Sequence, residues 1–410
     1  MEQKRVCQGS RARQGLGVAL CGGVALLFML SSATTVEAQR RRRAENAAEK
    51  TQIQEKKKAE QPTPYTSAIL MDAETGKVLF EKDAHTPLPP ASMVKMMTTF
   101  IVLERVRDGS LKLSDTVTAS RWAAQMGGSQ IYLKEGEAFT VEDLLKAVMI
   151  HSANDASVAL AEHVAGSAEA FVDLMNDKAA QLGLKETRYY SVHGLPPSAG
   201  QEDDQMSAYD LAVLGRELMK FPEAAKWAAT IHEPFRDGQF TMTNPNHLLR
   251  RFPGADGIKT GYHNGAGFCV TGSAKRGDLR LIVVVLGATP KQVCFQSATQ
   301  ILNQGFANYR LLVPVKAGSA LNKDAPVKGG AADLVPLVAS KDVRVLVKKG
   351  EEKKVQVEVK LPDPVWAPIK AGQAMGEVVV KFDGTEVGKT PAAAAQDVAE
   401  GSLWQRWWPF

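Results

Sequence analysis

Phe268-Cys-Val-Thr-Gly-Ser-Ala-Lys275 and Leu279-Arg-Leu-Ile-Val-Val-Val-Leu-Gly287 stand on either side of the short break Arg276-Gly277-Asp278. The second run is almost entirely apolar and rich in β-branched residues, and its length suits a strand better than a helix. The two read as a pair of buried antiparallel strands. Far upstream, Ser67-Ala-Ile-Leu-Met-Asp72 and Lys77-Val-Leu-Phe80 flank Ala73-Glu-Thr-Gly76, the pattern of a hairpin with a glycine in its turn. Between these ends lie helix-spaced apolar runs: Met93–Val106, a region from Val141 to about Gly183, and Ala208–Phe221. Val293–Tyr309 reads as a closing helix. Strands early and late with helices between imply one antiparallel sheet, assembled from both ends of the segment, with helices packed on it.

After about Pro314 the texture changes. Val343-Arg-Val-Leu-Val347, Lys354-Val-Gln-Val-Glu-Val-Lys360 and Glu377-Val-Val-Val-Lys-Phe382 alternate apolar and polar residues between Gly and Pro clusters. This predicts a small all-β domain whose strands each present one polar face. The fold class expected is therefore α+β, an antiparallel sheet flanked by helices with a helical subdomain, plus a C-terminal all-β domain. A chain of 410 residues accommodates such a division without disulfides.

The N-terminus reads as an export signal. Lys4, Arg5, Arg11 and Arg13 precede an apolar run from Gly15 to Leu30, and Val36-Glu37-Ala38 follows as a small-residue cleavage site. The formal net charge of +5 is carried by the ends of this region. Residues 1–38 supply +2 and residues 40–60, with Arg40 to Arg43 and Lys56 to Lys58, supply +4, leaving the rest at −1. A nearly neutral folded part gives nucleic-acid binding no electrostatic support. Trp404, Trp407, Trp408 and Phe410 crowd the C-terminus around Arg406. Such a cluster fits contact with a membrane surface, or packing onto the chain's own domain. Cys269 and Cys294 remain after the signal is removed, and sequence alone leaves open whether they bond or lie as two buried thiols.

The chemistry is carried by three short motifs in order: Ser92-Met93-Val94-Lys95, Ser152-Ala153-Asn154 and Lys259-Thr260-Gly261. Each alone has an ordinary reading as a helix cap, a loop cap or an exposed strand end. Together they read as a serine acyl-transfer site. A serine hydroxyl needs a base, and Lys95 sits one helical turn away on the same face. Burial and a neighbouring cation, for which Lys259 is the candidate, favour the neutral amine that can accept a proton. Ser152 is placed to relay a proton and Asn154 to donate to Lys95 or to a substrate amide. Gly261 on an edge strand leaves a backbone open to an extended peptide.

With His193-Gly194-Leu195 and the strand pair after Gly265-Ala-Gly-Phe268, the chain from about Thr63 onward resembles the D-alanyl-D-alanine carboxypeptidases of low molecular mass, the penicillin-binding protein 5 kind. The resemblance implies a serine β-lactamase/DD-peptidase-like fold for the catalytic part, and the whole chain is read with these divisions: signal 1–38, charged linker 39–62, catalytic domain 63–313, β domain 314–392, and linker with membrane-contact tail 393–410. It implies Ser92 as acylated nucleophile, Lys95 as its base and Ser152 as a third catalytic group. Asn154, Lys259, Thr260, Gly261 and Tyr262 would bind substrate, with the backbone N–H groups of Ser92 and Tyr262 as oxyanion donors. The substrate implied is the peptidoglycan pentapeptide stem; β-lactams would acylate the same serine, on the periplasmic face of the inner membrane, with neither metal nor organic cofactor. One departure stands out. Cys294 occupies the place of an arginine that would hold the substrate's terminal carboxylate, which shifts that role to Lys259 and Thr260, or to Arg250 or Arg251. A serine β-lactamase, an endopeptidase on the same fold and a scaffold with a degenerate site are the competing readings. The absence of Glu-x-x-Leu-Asn between Ser152 and Lys259 argues against a class A lactamase.

Overall fold

The computed structural model describes residues 63–361 and 364–402. The signal, the charged linker and the C-terminal tryptophans lie outside the described residues. The early hairpin forms strands β1 (Ser67–Asp72) and β2 (Val78–Lys82). The late run forms β3 (Ala255–His263), β4 (Gly267–Arg276) and β5 (Leu279–Ala288). All five make one antiparallel sheet in the order β2-β1-β5-β4-β3, so the two ends of the segment meet at the β1–β5 pairing. β3, which carries Lys259, is the edge strand.

The near-continuous apolar sequence of β5 follows from burial on both faces. Ile282, Val284 and Leu286 join Ile69 and Met71 of β1 in one core cluster. Leu281, Val283 and Val285 join Ala68 and Leu70 in another. Period-2 alternation thus sends one set of side chains towards the helical body and the other towards the closing helix, here α5 (Lys291–Asn308). Each fully buried aliphatic side chain contributes about 1.5–3 kcal/mol. The helical body contains α1 (Lys95–Arg107), α2 (Asn154–Ala165), α3 (Ala168–Gln181) and α4 (Ala208–Leu218). Val141–Ile150 is not one uniform α-helix: it begins as α over Val141–Lys146 and widens to a π turn over Ala147–His151, ending at Ser152. π turns of this sort accumulate at functional sites.

Beyond α5 the chain is all β. Six strands form one sheet and Tyr309–Val315 pairs with Val343–Lys348. The alternation expected over Val343–Val347 is incomplete. Val343, Val345 and Val347 face the core of this part, Arg344 is exposed, but Leu346 is buried in the cluster that contains α5. A strand lying between two cores has no purely polar face. Arg344 meets Glu74, in the β1–β2 turn, at 3.3 Å. No helix among the described residues is long and apolar enough to cross a membrane.

One buried carboxylate organises the wall opposite the sheet edge. Asp155, in the first turn of α2, is fully buried. It accepts from the backbone N–H groups of Ile131 at 3.0 Å, Leu133 at 3.1 Å and Ala156 at 2.9 Å. Removing it strands buried donors, each costing about 1–3 kcal/mol. Asp155→Ala is expected to lower unfolding stability by roughly 3 kcal/mol or more in urea titration. Asp155→Asn, which keeps an acceptor of the same size, is expected to lose less.

Candidate active site

Ser92 lies in a 3₁₀ turn, Ala91–Val94, that runs directly into α1. Lys95 is the first residue of that helix and is fully buried. Its Nζ sits 3.0 Å from Ser92 Oγ and 2.5 Å from the carbonyl oxygen of His193. The one-turn spacing of the motif therefore produces the contact that the chemistry needs. Burial first, and the Lys259 ammonium second, hold Lys95 well below the usual lysine value. Asp204 and Asp155 oppose the shift without reversing it. A neutral Lys95 donates to the His193 carbonyl and keeps its lone pair for the Ser92 proton.

Lys259 enters from β3 and is also buried. Its Nζ donates to Ser152 Oγ at 2.8 Å and to the Thr260 carbonyl at 3.2 Å. Burial lowers it to about 7. Ser152 itself has φ +65°, a left-handed conformation unusual for a residue with a side chain. That strain sits where the π turn ends, and it is what brings the hydroxyl to Lys259.

Two glycines bring the three motifs together by close backbone approach. At Gly261 an added Cβ would lie 2.4 Å from Pro90 O, just ahead of the nucleophile. At Gly194, φ +71°, it would lie 2.1 Å from Ala91 O. The open face expected at Gly261 for an incoming ligand is thus partly occupied by the chain's own Pro90–Ser92 segment. Gly261 still lines the cleft, but its missing side chain first serves the packing of β3 on the nucleophile's turn.

The cleft measures about 250 Å³ and is lined by Ser92, Ser129, Ser152, Thr260, Gly261 and Tyr262 on its polar side. Phe268, Cys269, Cys294, Phe295 and Lys291 close the other end. Tyr262 stacks on Phe268 with ring centroids 4.1 Å apart, and its hydroxyl donates to Asn264 Oδ1 at 3.0 Å. Its ring is therefore an aromatic wall. Cys269 and Cys294 are both free and buried, which resolves the choice left open by sequence in favour of thiols. Burial pushes Cys269 up to about 11 and Cys294 higher still, so neither is a nucleophile.

Of the two partners expected for Asn154, Lys95 is not the one its side chain meets. Its Nδ2 donates to Gly127 O at 2.7 Å, not to Lys95, and its backbone N–H donates to Ser129 O at 2.7 Å. It holds the Gly127–Ser129 segment against the cleft. Arg250 and Arg251 are not among the lining residues, and Arg250 donates to Asn244 O at 3.2 Å. The cation that does line this end of the cleft is Lys291, which the sequence reading passed over. It opens α5, one turn before Cys294 and on the same face. No hydrogen bond or ion pair engages its ammonium among the described residues. Its charge, with those of Arg251 and Arg250, adds to burial in lowering His247.

Comparison with known proteins identifies the family and the fold. Residues 54–290 match the family model described as D-alanyl-D-alanine carboxypeptidase, and residues 309–400 match the penicillin-binding protein 5 C-terminal domain. The D-alanyl-D-alanine carboxypeptidase DacF of Bacillus subtilis is 41% identical over 342 residues, covering 82% of this chain and 86% of the relative. Penicillin binding protein 5 from Haemophilus influenzae superposes with a TM-score of 0.67 at 30% identity, over 83% of this chain and 98% of that one. Penicillin-Binding Protein D2 from Listeria monocytogenes, solved in an ampicillin-bound form, superposes with a TM-score of 0.55 at 29% identity, over 60% of this chain and 98% of that one. A serine in contact with a buried lysine beside a sheet edge, on this fold and with these relatives, makes the chain a member of the serine-type D-alanyl-D-alanine carboxypeptidase family, carrying the C-terminal domain of penicillin-binding protein 5.

Proposed function

We propose that this chain removes the terminal D-alanine from peptidoglycan pentapeptide stems through an acyl-enzyme on Ser92. The observation that carries the reading is the 3.0 Å contact between Ser92 Oγ and a buried Lys95 Nζ whose proton affinity is strongly depressed. Lys95 takes the hydroxyl proton as Oγ attacks the scissile carbonyl. The backbone N–H groups of Ser92 and Tyr262 receive the developing oxyanion. Ser152, held by Lys259, hands a proton to the departing D-alanine amine, and water then hydrolyses the ester. Thr260, Gly261 and the Tyr262 wall guide the extended stem along β3. Asn154 acts as a positioning residue for the wall at Gly127–Ser129. Lys291 is the cation for the substrate's terminal carboxylate, in place of the arginine missing at Cys294. β-Lactams, which present a carboxylate beside a strained amide, acylate the same serine.

The division into a signal (1–38), linker (39–62), catalytic domain (63–313), β domain (314–392) and tail (393–410) belongs to the same reading. So does residence on the periplasmic face of the inner membrane. The basic and apolar N-terminal pattern supports export, and the tryptophan cluster at the other end supports peripheral membrane contact.

Mass spectrometry of muropeptides from pentapeptide-rich sacculi tests the activity. Loss of one alanine, abolished in Ser92→Ala together with labelling by fluorescent penicillin, is the expected result. Monomers released from crosslinked dimers would assign an endopeptidase, and rapid penicillin turnover a lactamase. The two lysines make a second test. Lys259→Met removes a like charge beside Lys95, which favours protonated Lys95 and raises its apparent pKa. The acid limb of the penicillin acylation rate is expected to move to higher pH in stopped-flow measurements. An unmoved limb would remove Lys259 from the activation of Lys95. For the carboxylate, Lys291→Met is expected to lower kcat/KM on a pentapeptide about tenfold or more, the scale of a lost charge-assisted hydrogen bond. Cys294→Arg is expected to raise kcat/KM, and to restore it when added to Lys291→Met.

A further inference from the structure

The cleft is not the only cavity of note in the catalytic part; a larger one lies near it. A groove of about 610 Å³ runs beside it, between the short helix Arg121–Ala124, α3 and the segment Arg188–Gln201. We propose that this groove binds the amino-sugar end of the substrate, the glycan to which the stem peptide is attached. This extends the carboxypeptidase reading, on which it rests.

The groove is rigidly built. Asn176 of α3 pins the backbone of Tyr189 from both sides, accepting from its N–H at 2.9 Å and donating to its carbonyl at 3.0 Å. Buried Asp204 accepts from the N–H groups of Tyr190 at 2.7 Å and Ser191 at 2.9 Å. Its lining has the chemistry of a saccharide site. Trp122 and Tyr190 are large aromatics left 42% and 41% exposed; Trp122 is a flat surface for the apolar face of a pyranose ring, and Tyr190, with the Arg188 guanidinium 5.7 Å over one face of its ring, is a second. Glu169 and Asp173, one turn apart on α3, line the groove with no hydrogen bond or ion pair among the described residues, as free acceptors for sugar hydroxyls.

The groove also lies within reach of the chemistry. Met126 lines the groove and Ser129 lines the cleft, three residues apart, which bounds their separation at about 11 Å. Leu195 lines the groove and packs near Gly128, beside Asn154. His193, another lining residue, supplies the carbonyl that holds Lys95. In a pentapeptide stem four residues separate the glycan from the scissile bond, about 14 Å when extended, longer than the bound on the span between cleft-lining Ser129 and groove-lining Met126.

The test compares a disaccharide-pentapeptide with the same pentapeptide lacking sugars, both assayed by D-alanine release. Wild type is expected to favour the sugar-bearing substrate about tenfold, through KM, the scale of one aromatic contact. Trp122→Ala and Tyr190→Ala are expected to abolish that preference while leaving the sugar-free peptide and penicillin acylation unchanged, and Trp122→Tyr to retain part of it. Equal turnover of both substrates by wild type overturns the proposal, as does an equal loss on both in the variants. Should wild type cleave neither, the carboxypeptidase reading fails instead. Calorimetric titration with the disaccharide-tetrapeptide then decides the groove: binding lost in Trp122→Ala supports it, and no binding by wild type overturns it.

Discussion

Two lysine side chains buried in one small volume set the terms for the whole catalytic part. Desolvation disfavours charge on each, and their mutual repulsion disfavours charge on both. Lys95, which also feels the charge of Lys259, is held well below the usual lysine value beside the serine. Burial does most of this, and Lys259 adds to it from a different strand, 164 positions later in the chain. The fold must therefore bring an edge strand, a helix start and a loop within a few ångströms. Its sheet, closed by pairing the first strand with the last, is what does so.

Close approach on that scale leaves no room for side chains at the crossing points. Gly261 and Gly194 press on the backbone at Pro90 and Ala91 from two sides. Ala91 and Ser152, both with side chains, take left-handed backbone conformations that cost of order 1–3 kcal/mol each. The strain is concentrated at the nucleophile's turn and at the second motif, while the sheet and α5 beneath are conventional apolar packing. That division of labour is what a preorganised site requires: the surroundings hold atoms where they would not rest unaided.

The parts legible in the sequence were those whose signal is local. A continuous β-branched run announces β5, a glycine turn announces the β1–β2 hairpin, and a Ser-x-x-Lys spacing announces a one-turn contact. What stayed hidden depends on partners far along the chain. Asn154 gives its amide to Gly127, and nothing near Asn154 says so. Leu346 is buried by a helix from the other part of the molecule, which breaks an alternation that its own strand suggested. Nothing local to Lys291 marks it; it stands one turn before Cys294, and only the folded cleft places the two side by side.

That displacement has a physical consequence for specificity. An arginine at 294 would offer a planar, bidentate grip on a carboxylate from the cleft wall. Lys291 offers a single ammonium without that planar fork, and it lines the cleft with two free thiols and two phenylalanines. Such a corner holds charge less rigidly but tolerates more bulk around it. On the proposed role of Lys291, leaving-group recognition is held by one ammonium rather than a bidentate grip, separate from the Ser92–Lys95–Lys259 contacts. The discrimination between stems then falls more heavily on contacts made further from the scissile bond, along β3 and beyond the Gly127–Ser129 wall.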